Sequence, residues 1–65
     1  MSAVGSNIKK YISIIRRNGE ISVEDLILQS EKSPSTYEKY KRFIPKLASD
    51  IGYDEEKRIW YLRRS

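Results

Sequence analysis

The stretch from Ser33 to Lys46, SPSTYEKYKRFIPK, decides how the rest of this chain is read. Ser33 is a strong helix N-cap, and Pro34 suits the first helical position because its missing N–H would have no partner there anyway. Drawn as a helix, Ser35, Lys39, Arg42 and Lys46 fall together on one side, at spacings of 4, 3 and 4. Tyr37, Tyr40, Phe43, Ile44, Leu47 and Ala48 cover the other. Such a helix buries one face in a small core and offers a basic, hydroxyl-bearing face to an anion. A duplex with regularly spaced phosphates and readable base edges suits that face; a plain solvated surface is the alternative. Pro45 removes a backbone hydrogen bond and disfavours helix at Ile44. The expectation is a kink there, or an early end with one more turn through Ala48.

Working outward, a first helix is expected from about Asn7 to Arg17, capped by Ser6 or Asn7, with Ile8, Tyr11, Ile12 and Ile15 as its inner stripe. Asn18-Gly19 stops it, since Gly takes the left-handed conformation of a helix C-cap. Glu20-Ile21 is a short extended piece. Ser22 opens a second helix, with Asp25 three residues on as in a capping box and Val23, Leu26, Ile27 and Ser30 facing inward. Ile14 and Leu28 point elsewhere. Glu31-Lys32 make a tight connection. After Asp50 the period changes. Ile51 to Tyr53 and Arg58 to Leu62 read as a hairpin around Asp54, Glu55, Glu56 and Lys57. Tyr53 opposite Arg58 would put Ile51, Tyr53, Trp60 and Leu62 on one face, with Ile59 and Tyr61 outward.

Sixty-five residues make one domain with little room for a second core or a deep catalytic cleft. The expected core is Ile8, Ile12, Ile15, Leu26, Ile27, Tyr37, Ile44, Leu47 and Trp60. With no Cys and no His, a disulfide framework and a Cys/His zinc site are excluded, and the core must carry stability alone. No apolar run reaches the roughly 18 residues of a membrane span, and Met1 to Asn7 lacks signal-peptide character, so a cytoplasmic location is expected. Charge alternates in blocks. Lys9, Lys10, Arg16 and Arg17 precede Glu20, Glu24, Asp25 and Glu31; a basic block from Lys32 to Lys46 follows, then the acidic turn and a basic end at Arg58, Arg63 and Arg64. The net charge of +4 and pI near 9.5 favour nucleic acid as partner. Abundant Lys, Arg, Glu, Ile and Tyr, with a single Gln and no Cys, resemble hyperthermophile usage.

The order is helix, short strand, helix, tight turn, helix and two-stranded hairpin. With Glu20 to Leu26, Ser33 to Tyr37 and Ile51-Gly52-Tyr53 at their places in it, the chain resembles the winged helix-turn-helix DNA-binding superfamily. The resemblance implies an α+β fold of three helices with a C-terminal two-stranded wing, over residues 7–62, between a flexible N-terminus (1–6) and a basic tail (63–65). It implies double-stranded DNA binding, with the third helix in the major groove. Ser35 and Thr36 would approach the backbone or base edges, and Arg42 would make a bidentate contact to guanine beside Lys39. Lys32, Lys46, Lys9 and Lys10 would hold phosphates. The hairpin tip departs from the family pattern: Asp54, Glu55 and Glu56 repel phosphate, and only Lys57, Arg58, Arg63 and Arg64 compensate. The domain would act as a nucleoid-associated regulator of transcription, or as the DNA-binding module of a larger DNA-transaction protein.

Other chemistry has little support. Without His or Cys a His-based catalytic triad is impossible, so no enzymatic activity and no cofactor are expected. The paired acids Glu24-Asp25 and Glu55-Glu56 read as solvated charge. Tyr11, Tyr40, Tyr53, Trp60 and Tyr61 raise base stacking, but aromatics supply most of the core in a domain this small. Ile14, Leu28, Ile59 and Tyr61 offer a surface for a homodimer or protein partner. A protein-interaction module within a larger assembly is therefore the alternative function.

Overall fold

The computed structural model describes residues 3–63. Its elements are α1 (Ala3–Asn18), β1 (Glu20–Ser22), α2 (Val23–Ser30), α3 (Pro34–Tyr40), a 3-10 turn (Lys41–Phe43), α4 (Ile44–Leu47), β2 (Ile51–Asp54) and β3 (Ile59–Leu62). The fold is a small α+β arrangement: α1, α2 and a broken third helical segment pack on a three-stranded antiparallel sheet of order β1-β3-β2.

The local punctuation acts as its chemistry requires. Gly19, at φ +78°, donates its N–H to the Ile15 carbonyl at 2.8 Å and ends α1. The Ser22 hydroxyl accepts from the Asp25 N–H, and the Ser33 hydroxyl from the Thr36 N–H. Glu31 closes α2 in the left-handed region (φ 60°), with its N–H on the Leu28 carbonyl. Pro45 accounts for the break in the third segment. It has no N–H to give the Lys41 carbonyl, so the Ile44 N–H takes that acceptor in a tighter 3-10 turn. One further helical turn then follows, as expected.

Four expectations are corrected. Helix α1 begins at Ala3 rather than Asn7, so the flexible N-terminus expected over 1–6 is helical from residue 3. Ala is a strong helix former, and extending a helix needs no new nucleus; Met1, Ser2, Arg64 and Ser65 lie outside the described residues. The sheet has three strands, not two: Glu20–Ser22 pairs with β3, setting Ile21 opposite Trp60. Tyr53 stands opposite Trp60 rather than Arg58. The Asp54 carboxylate accepts the N–H groups of Glu56 and Lys57 at 3.1 Å, closing a turn over Glu55–Arg58 that ends in left-handed Arg58 (φ 55°). This slip of two residues leaves every side chain on its expected face.

The fourth correction concerns the core. Ile14 is buried, not outward, and Leu47 is 59% exposed, not buried. Helix α1 touches α2, α3, α4 and all three strands, so apolar residues over nearly half its circumference are covered, Ile14 included. In the single turn of α4, Ile44 and Ala48 are buried, while Leu47, to one side of them, lies on the rim of an open groove beside Ile12 and Arg16 of α1 and is not covered. Ile27 is half-buried against the same core. At its centre Tyr11 and Tyr37 meet edge-to-face with ring centroids 6.0 Å apart, and the Trp60 indole N–H donates to the Tyr37 hydroxyl at 3.0 Å.

Candidate nucleic-acid interface

The turn between α2 and α3 is built by hydroxyls. Ser30 is fully buried; its Oγ donates to the Ile27 carbonyl at 2.7 Å and accepts from the Lys32 N–H. This anchors half-buried Lys32 at the mouth of the turn. At the start of α3, the Ser33 hydroxyl lies 3.0 Å from those of Ser35 and Thr36. Both stay within the cap network, and each hydroxyl keeps further hydrogen-bonding capacity.

Along the third segment, Lys39, Arg42 and Lys46 are exposed. Among the described residues none has a carboxylate within salt-bridge distance, nor do Lys9, Lys10 and Lys32. Other cations are engaged. Arg16 holds Asp50 through two hydrogen bonds of 3.0 and 3.2 Å, which lower the Asp50 pKa; Lys41 holds Glu38 at 2.8 Å; Arg58 lies 3.7 Å from Glu24. Arg58 is thereby turned toward α2, while Lys57 is exposed in the acidic turn.

The 3-10 turn changes the face drawn on an ideal helix. Three residues at about 120° each, in place of about 100°, swing Lys46 roughly 60° about the axis relative to Ser35 and Lys39. The Lys39 and Lys46 ammonium groups lie 5.5 and 5.7 Å from the ring centroids of Tyr40 and Phe43. Arg42 lines a cleft of about 370 Å³ between this segment and the hairpin, with Tyr37, Lys41, Tyr53, Glu55 and Trp60. Lys9 lines a separate groove of about 440 Å³ between α1 and α4, together with Ile12, Ser13, Arg16 and Leu47. Lys10 is exposed on α1.

The apolar surface expected from Ile14, Leu28, Ile59 and Tyr61 does not form as a unit. Ile14 is in the core, Ile59 and Tyr61 are half-buried, and only Leu28, 76% exposed, stands free. The Tyr61 ring lies directly over Gly52, where a Cβ would come within 2.6 Å of it. Of the aromatics considered for stacking, Tyr11, Tyr40 and Trp60 are buried, whereas Tyr53 is 38% exposed in the Arg42 cleft, its ring 4.6 Å from that of Trp60. Period-2 alternation put Tyr53 on the same face as Trp60 correctly; its exposure follows from its place on the edge strand β2, whereas Trp60, directly opposite on the central strand, is covered.

Among the described residues no three His, Cys, Asp or Glu side chains gather as a metal site, and no helix is long and apolar enough to cross a membrane. Comparison with protein-family models, curated proteins and solved structures gave no match to this chain.

Proposed function

We propose that this chain is a winged helix-turn-helix domain that binds double-stranded DNA, with the segment from Pro34 to Leu47 entering the major groove. The observation that carries this reading is the set of exposed cations without carboxylate partners on that segment, Lys39, Arg42 and Lys46, beside the hydroxyls of Ser35 and Thr36. The helix–strand–helix–turn–helix–hairpin order and the β1-β3-β2 sheet support it. In this reading Arg42 contacts a base edge, and Lys9, Lys10, Lys32 and Lys46 contact phosphates. The hairpin tip stands off the backbone, because Asp54, Glu55 and Glu56 repel it. Its cellular place is the nucleoid, as a regulator or as one module of a larger DNA-transaction protein.

The test is a binding titration on duplex DNA at several salt concentrations. Binding is expected to weaken linearly in log affinity with log salt, and Lys46→Ala to lower that slope by roughly one counterion on every sequence. Arg42→Ala is expected to cost about 1–3 kcal/mol on a preferred site and to relax preference at one base pair. Absence of salt-dependent binding at low ionic strength would exclude DNA recognition. The exposed Leu28 and the acidic hairpin tip favour a second reading, a protein-interaction module, which then takes its place.

A further inference from the structure

The cleft between the third helical segment and the hairpin differs from the rest of the basic surface. Its hairpin wall is Tyr53, the exposed member of a ring pair with Trp60 whose planes are tilted by 41°. The Trp60 indole N–H is already given to the Tyr37 hydroxyl, so the aromatic floor beneath Tyr53 asks no acceptor of a ligand for that N–H. The helical wall carries Arg42, a fork of N–H donors without a carboxylate partner among the described residues. The opposite rim carries Glu55, an acceptor only. Lys41, also on the helical wall, is held by Glu38. The cleft thus presents a ring face, a donor and an acceptor across about 370 Å³, near the lower end of ligand-site volumes, which run from about 300 Å³. A phosphate would meet Glu55 as well as Arg42 and leave the Tyr53 ring face unused, and a purely apolar ligand would offer neither rim charge a partner. A nucleobase has a face to stack and an edge bearing both acceptors and N–H donors. Inside a duplex that face is occupied by neighbouring bases, so the cleft can be filled only by an unpaired one.

We propose that the Tyr53 cleft holds an unpaired nucleobase, stacked on the Tyr53 ring with its edge between Arg42 and Glu55. The protein then prefers the junction of duplex and single-stranded DNA to uninterrupted duplex. This rests on the duplex reading above and extends it: Arg42, which meets a base edge in uninterrupted duplex, meets the unpaired base at a junction.

The test compares a blunt duplex with the same duplex carrying a short single-stranded overhang, at one salt concentration. The wild type is expected to bind the overhang form about 5- to 150-fold more tightly, the stacking contribution of one base. Tyr53→Ala should abolish that preference while leaving blunt-duplex affinity unchanged, and Tyr53→Phe should retain it. A readout independent of any variant comes from Trp60, the single tryptophan, under the Tyr53 ring. Its emission should change on titration with the overhang form and not with the blunt duplex. Equal affinity for the two DNAs with salt-dependent binding of both would overturn this proposal and leave the duplex reading standing. So would an equal loss on both from Tyr53→Ala. Failure to bind either DNA at low salt overturns both.

Discussion

Two tyrosine hydroxyls in one core have opposite energetic standing. The Tyr11 oxygen is buried with no hydrogen-bond partner. The Ser30 hydroxyl is near enough to oppose the burial-driven rise of the Tyr11 pKa, yet donates to the Ile27 carbonyl instead. The Tyr37 oxygen accepts from the Trp60 indole. Tyr11→Phe removes an orphaned polar atom and is expected to leave the melting temperature unchanged or higher. Tyr37→Phe leaves the indole N–H without an acceptor and is expected to cost about 1–3 kcal/mol. Thermal melts of the two variants should diverge; equal losses would mean that the Tyr11 hydroxyl has a partner after all. Burial raises both phenol pKa values above their ordinary 10.0. Below pH 10 both are neutral in the folded and unfolded chain, so this contribution is fully present. Above it the unfolded chain ionises first, and stability falls as pH rises toward the folded values. Melting temperature against pH, with phenolate absorbance, should show this alkaline loss, and Tyr11→Phe should reduce it.

At the scale of elements, the α2–turn–α3 unit holds one device that stabilises it and one that strains it. The Ser33 hydroxyl caps α3 and ties in Ser35 and Thr36, so Ser33→Ala is expected to lower stability by about 0.5–2 kcal/mol. Glu31 sits in the left-handed region with a Cβ, which a non-Gly residue adopts at a cost of roughly 1–2 kcal/mol. Glu31→Gly is expected to offset its greater unfolded-state entropy and raise stability by up to about 1 kcal/mol. Chemical denaturation of both variants measures the two signs. A loss on Glu31→Gly would show that the turn depends on the glutamate side chain.

At the scale of the whole molecule, two isoleucine and leucine positions that look alike in the sequence separate. Ile14→Ala should cost about 2–5 kcal/mol, and Leu28→Ala no more than about 0.5 kcal/mol. If the hairpin tip stands off DNA, Glu55→Lys with Glu56→Lys should leave blunt-duplex affinity unchanged or improve it, read by the same salt titration; a marked loss would place the acidic tip in the complex. What the sequence determined by itself is the order of elements and their ends: Asn18-Gly19, Ser22, Ser33-Pro34 and the break at Pro45 all act through hydrogen bonds between near neighbours. The side chains of the hairpin also kept their faces, because a two-residue slip preserves the pleat. Only the tertiary structure decided that β1 joins β3, that Ile14 is covered while Leu47 is not, and that Arg42 and Tyr53 share a cleft. Each of these depends on which distant segment arrives alongside. No residue's own periodicity encodes that, since burial and pairing are set by the neighbour across the gap and not by the neighbour along the chain.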